Sequence, residues 1–247
     1  MTSKAIILAA GMGTRLKPLT LTNHKCLTEV NGVPILENAL EALQQSGIEQ
    51  VTIVVGYLSE LICSRIGTDY YGMGIEYAVN AIYDQTNTSY SLKLGMEKTC
   101  DYDELLLLEG DVFFERKILD DLMQQKENIT VLEPYHSDLD GTFVELDDAG
   151  YVIDWTHKTK RSEGYTLEDK YKTVNLHKFS KDFILKTLSP YLQASLEQAG
   201  GKEPLETVMM NLVRENPKSI KGFVLHGEKW FEIDDMVDLE RAERIFS

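Results

Sequence analysis

Apolar and polar positions fall in short blocks that change period along the chain. Ala5 to Ala10 is a continuous apolar run ending at Gly11, the pattern of a strand buried on both faces of a parallel sheet. From Pro34, the residues Ile35, Leu36, Ala39, Leu40 and Leu43 recur at helical spacing until Gly47 stops them, and QVTIVVGY follows as a second β-rich run. The alternation continues with LSELICSRIG as a helix, GIEYAVN as a strand, SYSLKLGMEKT as a helix, DELLLLEGDVFFE as one strand and RKILDDLMQQK as a helix. Repeated strand-helix units predict a mostly parallel sheet with helices on both faces.

After NITVLEPY the character changes. GTFVELDDAGYVIDWTH alternates around an Asp-Ala-Gly turn and reads as a hairpin, and the polar KTKRSEGYTLEDK that follows reads as a mobile loop over a site. YKTVNLHKFS returns to strand character, SKDFILKTLSPYLQASLEQAGG and PLETVMMNLVREN read as helices, KGFVLHGEKWFEIDD holds another strand, and MVDLERAERIF is a last helix. No internal repeat, low-complexity tract or linker divides the 247 residues. The expected class is α/β: a Rossmann-like, mostly parallel (mixed) sheet flanked by helices, with a small β-hairpin lid. One domain is expected over 1–247, with the acceptor-binding hairpin and loop at about 134–178.

Charge narrows the partners. With 40 acidic against 25 basic residues the net charge is −15, which argues against a nucleic-acid partner, since phosphate neutralisation needs a basic surface. An anion bound here must be met by a few local cations and backbone N–H groups. Cys26, Cys63 and Cys100 are widely spaced and odd in number, the pattern of reduced thiols and neither a disulfide framework nor a zinc site. AIILAA is too short for a signal peptide's apolar region, and no stretch approaches a membrane span, so the expectation is a soluble, cytoplasmic protein without a membrane partner.

The stretch from Lys4 to Leu27, KAIILAAGMGTRLKPLTLTNHKCL, holds the first chemistry. Gly11 and Gly13 allow a sharp turn and close approach to a ligand, and N–H groups at a strand end cradle phosphate oxygens. Arg15 and Lys25 supply the two charges such a ligand needs. The Walker pattern is excluded because Thr-Arg follows Gly13, and the dinucleotide pattern because Leu16 stands where its third glycine belongs.

LAAGMGTRLKPLT with a lysine farther on resembles the signature of the nucleotidyltransferases that couple a nucleoside triphosphate to a sugar phosphate or a small phosphorylated alcohol. The resemblance implies catalytic roles for Arg15 and Lys25 on the triphosphate. It implies a nucleotide site from Leu8, Ala9, Ala10, Gly11, Gly13 and Thr14, with Asn80, Asn87 and Ser89. The family usually has proline before the lysine, where this chain has His24.

LLLLEGDVFFE sets Glu109 and Asp111 after four leucines, and ligands of open α/β sheets bind at strand C-terminal ends. KWFEIDDMVDLE sets Glu232, Asp234 and Asp235 around another strand end. One or two carboxylates plus phosphate oxygens are the usual seat for magnesium. Asp111 and Asp234 match the family's paired metal aspartates, so Mg2+ is the implied cofactor. Asp235 precedes an apolar-periodic helix and reads as its cap, and Glu109 stands where many members have aspartate.

VNAIYDQTNTSYSLKLG resembles the small-alcohol branch, which includes phosphocholine and 2-aminoethylphosphonate cytidylyltransferases. Asn87 and Ser89 also read as helix caps, and Tyr83 and Tyr90 as core or as site walls. A cationic amine on the acceptor wants carboxylates or aromatic faces, and Trp155, Tyr165, Tyr171 and Trp230, near Asp154 and Glu232, offer them unless the tryptophans are core. KYKTVNLHKFS also resembles the phosphonate and aminoalcohol-type enzymes, which implies Lys172 and Asn175 for the acceptor and its phosphate, with Lys158 in the hairpin's THK as a further candidate. The acceptor-binding set is thus Tyr90, Trp155, Lys172, Asn175 and Trp230.

The leading expectation is a Mg-dependent cytidylyltransferase moving CMP from CTP to phosphocholine, 2-aminoethylphosphonate or a similar acceptor, as a monomer or homodimer. The alternatives are a hexose or heptose 1-phosphate nucleotidyltransferase using UTP, dTTP or GTP, and a non-catalytic nucleotide-sensing relative. A free-standing chain is expected over a module of a larger enzyme.

Overall fold

The structure, a computed structural model, describes residues 2–247. The first apolar run is β1 (Ser3–Ala9), followed by single helical turns at Thr14–Leu16, Leu19–Leu21 and Lys25–Leu27. A ribbon of β2 (Glu29–Val30) and β3 (Val33–Pro34) leads into α1 (Ile35–Gln45), β4 (Gln50–Val55), α2 (Ser59–Ile66), β5 (Asp69–Tyr70), β6 (Met73–Val79) and α3 (Thr88–Lys98). Next come β7 (Glu104–Glu109), β8 (Val112–Phe114), α4 (Arg116–Gln124), β9 (Ile129–Pro134), and the hairpin β10 (Thr142–Leu146) and β11 (Val152–His157). The rest is β12 (Tyr171–Ser180), α5 (Lys181–Phe183) running through a π-type segment (Ile184–Leu188) into α6 (Ser189–Ala199), α7 (Leu205–Glu215), β13 (Lys221–Val224), β14 (Trp230–Glu232) and α8 (Met236–Ile245).

Ten strands join in one mixed sheet ordered β11-β10-β12-β7-β1-β4-β6-β5, with β9 on β12 and β13 on β9. The β7, β1, β4 and β6 pairings are parallel, whereas β12 runs antiparallel to β7, β9 and β10. β1 is central and Ala5, Ile6 and Ile7 are fully buried, which is why its sequence is continuously apolar. Its two faces feed separate clusters, one with α1, α2 and α4, the other with α3 and α5 to α7. Helix α1 buries the residues its periodicity selects. It ends in a Schellman motif, with Gly47 at φ +84° and Ile48 N donating to Leu43 O at 3.0 Å.

Two stretches read as single strands are each divided. DELLLLEGDVFFE breaks at Gly110, so that β7 stays in the main sheet while β8 leaves it to pair with β14. A Cβ at Gly110 would lie 2.9 Å from Leu8 O, so only glycine lets the chain cross the end of β1 this closely. KGFVLHGEKWFEIDD likewise holds two strands, β13 and β14. Residues 158–170 carry only one helical turn, Lys158–Lys160, and the hairpin turn before them is locked by Asp147 Oδ1, which accepts from Ala149 N and Tyr151 N. The cysteines are unpaired, and among the described residues no helix is long and apolar enough to cross a membrane.

Candidate active site

The loop after β1 is tied from below. Tyr57 N donates to Ala10 O at 3.1 Å, Tyr57 Oη to Thr20 O at 2.9 Å, and Thr20 Oγ1 to Gly13 O at 2.8 Å. Gly13 is left-handed, and a Cβ there would meet Lys25 Cβ at 2.8 Å. That glycine is therefore what admits Lys25 against the loop.

Lys25 Nζ donates to Asp111 Oδ2 and to Asp234 Oδ1, each at 2.8 Å, and an Arg15 guanidinium nitrogen lies 2.7 Å from the same Asp234 oxygen. The chain break at Gly110 and the bond from Ile233 N to Asp111 O at 2.9 Å bring the two aspartates together from opposite ends of the sequence. Burial opposes the charge of Lys25, but the two carboxylates outweigh it and raise its pKa. Burial alone would push Asp234 up, yet Lys25 and then Arg15 hold it below the ordinary value. Asp235 is the N-cap of α8, accepting from Val237 N and Asp238 N in a capping box.

Beside this pair lies a cluster of acids. Single carboxylate oxygens of Glu109, Asp111 and Glu232 come within 4.8 Å of one another. Glu206, at the start of α7, faces the same cleft, and Asp111 Oδ1 and Glu206 Oε2 are buried without a hydrogen-bond partner. Burial, then the nearby acids Asp111, Glu206 and Glu232, push the Glu109 carboxyl well above the usual range, and burial raises Glu206. Lys172 Nζ donates to Glu232 at 2.8 Å and lies 5.7 Å from the Trp230 ring centroid. Asn175 takes a left-handed φ of +61° where β12 slips register against β9, and its Nδ2 donates to Glu109 at 3.2 Å. Asparagine tolerates that conformation better than most residues. The hard oxygen donors and the unpaired Asp111 Oδ1 fit a divalent cation such as magnesium.

Two clefts meet at Arg15, Glu109, Asp111 and Asp234. The smaller, about 270 Å³, is walled by Leu8, Ala9, Gly11, Gly13, Thr14, His24, Lys25 and Thr88. The larger, about 620 Å³, runs under the β10–β11 hairpin and is lined by eleven acidic against five basic side chains. Several of these acids are paired, Glu232 with Lys172, Glu228 with Lys117 and Asp140 with Lys158. Among the described residues Glu109, Glu133 and Glu206 have no lysine or arginine partner. Glu133 accepts only from the Trp230 indole, at 3.4 Å, and burial raises its pKa.

The structure thus brings Leu8, Ala9, Gly11, Gly13, Thr14, Arg15, Lys25, Asp111 and Asp234 to one cleft, and Lys172, Asn175 and Trp230 to the other. Ala10 stays behind the loop as the acceptor for Tyr57. Asn80 is buried and bonds Thr86, Ser91 and Ile82 N. Asn87 caps α3 through Thr88 N, and Ser89 donates to Glu203 O, so both fasten α3 to the segment before α7. Tyr90 packs on Gly201 and Lys93 outside either cleft lining. Trp155 is core, 2% exposed and packed on His177, and is absent from the cleft wall. Glu133 and Glu206 were missed. An acid in the first turn of a helix reads as a favourable dipole charge, and one near a strand end as solvated; only the fold turns both inward.

The sequence profile of a family described as Nucleotidyl transferase matches residues 4–235. The chain is 31% identical over 249 residues to the CMP-5'-(3-aminopropyl)phosphonate synthase of Streptomyces rubellomurinus, covering 99% of this chain and 39% of that protein's length. It is 29% identical over 247 residues to the choline-phosphate cytidylyltransferase of Streptococcus pneumoniae, covering 98% and 97%. In structure it is similar to the CTP:phosphocholine cytidylyltransferase of Streptococcus pneumoniae, with a TM-score of 0.80 at 24% identity over the whole of both chains.

Proposed function

The chain belongs to the nucleotidyl transferase family, and from that premise we propose that it is a Mg2+-dependent cytidylyltransferase moving CMP from CTP to a small amino-alcohol phosphate or phosphonate, with release of pyrophosphate. The observation that carries the acceptor class is the unpaired acid of the larger cleft, above all the buried Glu206 Oε2. A sugar phosphate offers those carboxylates only neutral hydroxyl donors, whereas an ammonium group neutralises their charge and takes the Trp230 face. The relatives named above carry an amine or a quaternary ammonium group in their named substrates or products, although the chain spans only 39% of the first one's length.

In this reading the triphosphate lies in the smaller cleft against Leu8, Ala9, Gly11, Gly13 and Thr14. Lys25 and Arg15 exchange their carboxylate partners for phosphate oxygens, offsetting the charge of the leaving pyrophosphate. Asp111 and Asp234 are the residues that would hold Mg2+, which when bound supplies further charge neutralisation. The acceptor enters from the larger cleft with Lys172 on its phosphoryl oxygens and its ammonium among Glu109, Glu206 and Glu232. Its oxyanion attacks the α-phosphorus in line, forming one P–O bond as the bond to the β-phosphate's bridging oxygen breaks. The nucleophile is already ionised near neutral pH, so no general base is needed.

The test is pyrophosphate release with Mg2+ over a matrix of CTP, UTP, dTTP, GTP and ATP against phosphocholine, 2-aminoethylphosphonate and glucose 1-phosphate. Turnover with CTP and an amine-bearing acceptor is expected. Turnover only with glucose 1-phosphate would overturn the acceptor reading and keep the triphosphate site, and silence throughout would favour a nucleotide-sensing role.

A further inference from the structure

His24 is the one wall of the smaller cleft whose ring has a task the transfer chemistry leaves unexplained. Its backbone is extended, φ −83° and ψ 144°, and it is the residue from which the Lys25–Leu27 turn starts. Cys26 N donates to His24 Nδ1 at 3.1 Å, so that nitrogen is an acceptor and the proton of a neutral ring must sit on Nε2. Nε2 is buried and without a hydrogen-bond partner, in a residue only 2% exposed. The backbone of Gly11, on the far side of the loop, is close enough to the ring to favour its protonated form, short of a formed hydrogen bond to Nε2. Burial pushes the ring's pKa down to about 4, so it is neutral across the physiological range.

We propose that His24 is a positioning residue for nucleotidyl transfer: Nδ1 caps the turn that carries Lys25, Nε2–H is aimed at the Gly11 backbone, and the ring makes lysine and glycine turn close on a nucleoside triphosphate as one unit. The need for such a tie follows from the loop's length. Gly11 and Lys25 must bear on one ligand, thirteen loop residues separate them, and a misplacement of about 1 Å between cooperating groups costs on the order of a hundredfold in rate. An unpaired buried N–H is costly and gains a partner if the loop tightens. The floor beneath is fixed, because Tyr57, whose ring centroid is 6.4 Å from that of His24, holds Ala10 and Thr20. The proposal rests on nucleotidyl transfer itself and on neither the base nor the acceptor.

The test uses the full chain with its histidines labelled by 15N, read by NMR before and after CTP with Mg2+, or UTP with Mg2+ if the chain turns over UTP instead. The expected result is a single Nε2–H tautomer for His24 near pH 7, whose Nε2 signal shifts on adding nucleotide. Kinetics supply the second arm. Asparagine keeps a cap for the turn and loses the reach to Gly11, so His24→Asn is expected to raise KM for the nucleotide about tenfold and leave KM for the acceptor within about twofold. An Nδ1–H tautomer would remove even the cap, and a ring indifferent to nucleotide or a folded His24→Asn enzyme with unchanged nucleotide KM would reduce His24 to a helix cap; each of these overturns the proposal. If His24→Asn fails to fold, the tautomer and its response in the unmodified protein decide.

Discussion

The two clefts share Asp111 and Asp234 but are assembled in different ways. The smaller is built largely from one continuous stretch, the end of β1 and the loop to Cys26, and its cations Arg15 and Lys25 are already engaged by carboxylates. The larger draws Glu109, Glu133, Lys172, Glu206 and Glu232 from five separate elements and keeps several acids unpaired. In the proposed reading a triphosphate draws Arg15 and Lys25 away from those carboxylates, while the larger cleft keeps a surplus of negative charge. The pairing fits a reaction whose donor is a triphosphate and whose acceptor carries an amine.

The strongest way to break the contrast is at the junction. Asp111→Ala is expected to lower turnover at least about a hundredfold while the circular dichroism spectrum stays native, because it removes a carboxylate that serves both clefts. On the acceptor side, Glu206→Gln is expected to raise KM for an amine-bearing acceptor at least about tenfold and leave KM for CTP unchanged, read by pyrophosphate release. Relative to the wild type, the same variant gains stability as pH rises. Because the folded pKa of Glu206 is raised above 4.5, the native protein bears a growing cost of ionising a buried acid above that pH, and glutamine removes it. Urea melts of both proteins at pH 4.5 and pH 7.5 check this, with the advantage of the variant expected only at the higher value.

The tryptophans sharpen the contrast further. Trp230→Ala is expected to raise acceptor KM roughly five- to tenfold. Trp155→Phe is expected to leave both KM values unchanged and to cost roughly 1–3 kcal/mol of stability by denaturant titration, since Trp155 is core. The smallest effect concerns buried His177, whose pKa burial lowers to about 3. A histidine depressed in the folded state contributes stability that is present above 6.5 and lost as pH falls toward 3, because the unfolded chain takes up the proton first. The difference between the wild type and His177→Asn should therefore shrink by roughly 2 kcal/mol from pH 7 to pH 5 in urea melts.

Legibility in the sequence followed the same divide. The central strands were readable because burial on both faces makes them continuously apolar, and the phosphate loop because its glycines and cations lie within one stretch. Glu109 and Asp111 could be read as a pair, but not the turn at Gly110 that separates their strands, since VFF has the same apolar character in either sheet. Glu206 was invisible because its role depends on α7 being laid against β11, which turns its first residues toward the cleft. Trp155 and Trp230 look alike in composition; a position in the middle of β11 buries one, and a position at the start of β14, in the two-stranded ribbon outside the main sheet, sets the other in the cleft wall.

The most direct test of the central claim compares two acceptors that differ only in the amine. With CTP and Mg2+, kcat/KM is measured for 2-aminoethylphosphonate and for ethylphosphonate. A preference of at least about a hundredfold for the amine is expected if the unpaired acids bind an ammonium group. Equal values would contradict the claim and leave the acidic cleft without a role in choosing the acceptor.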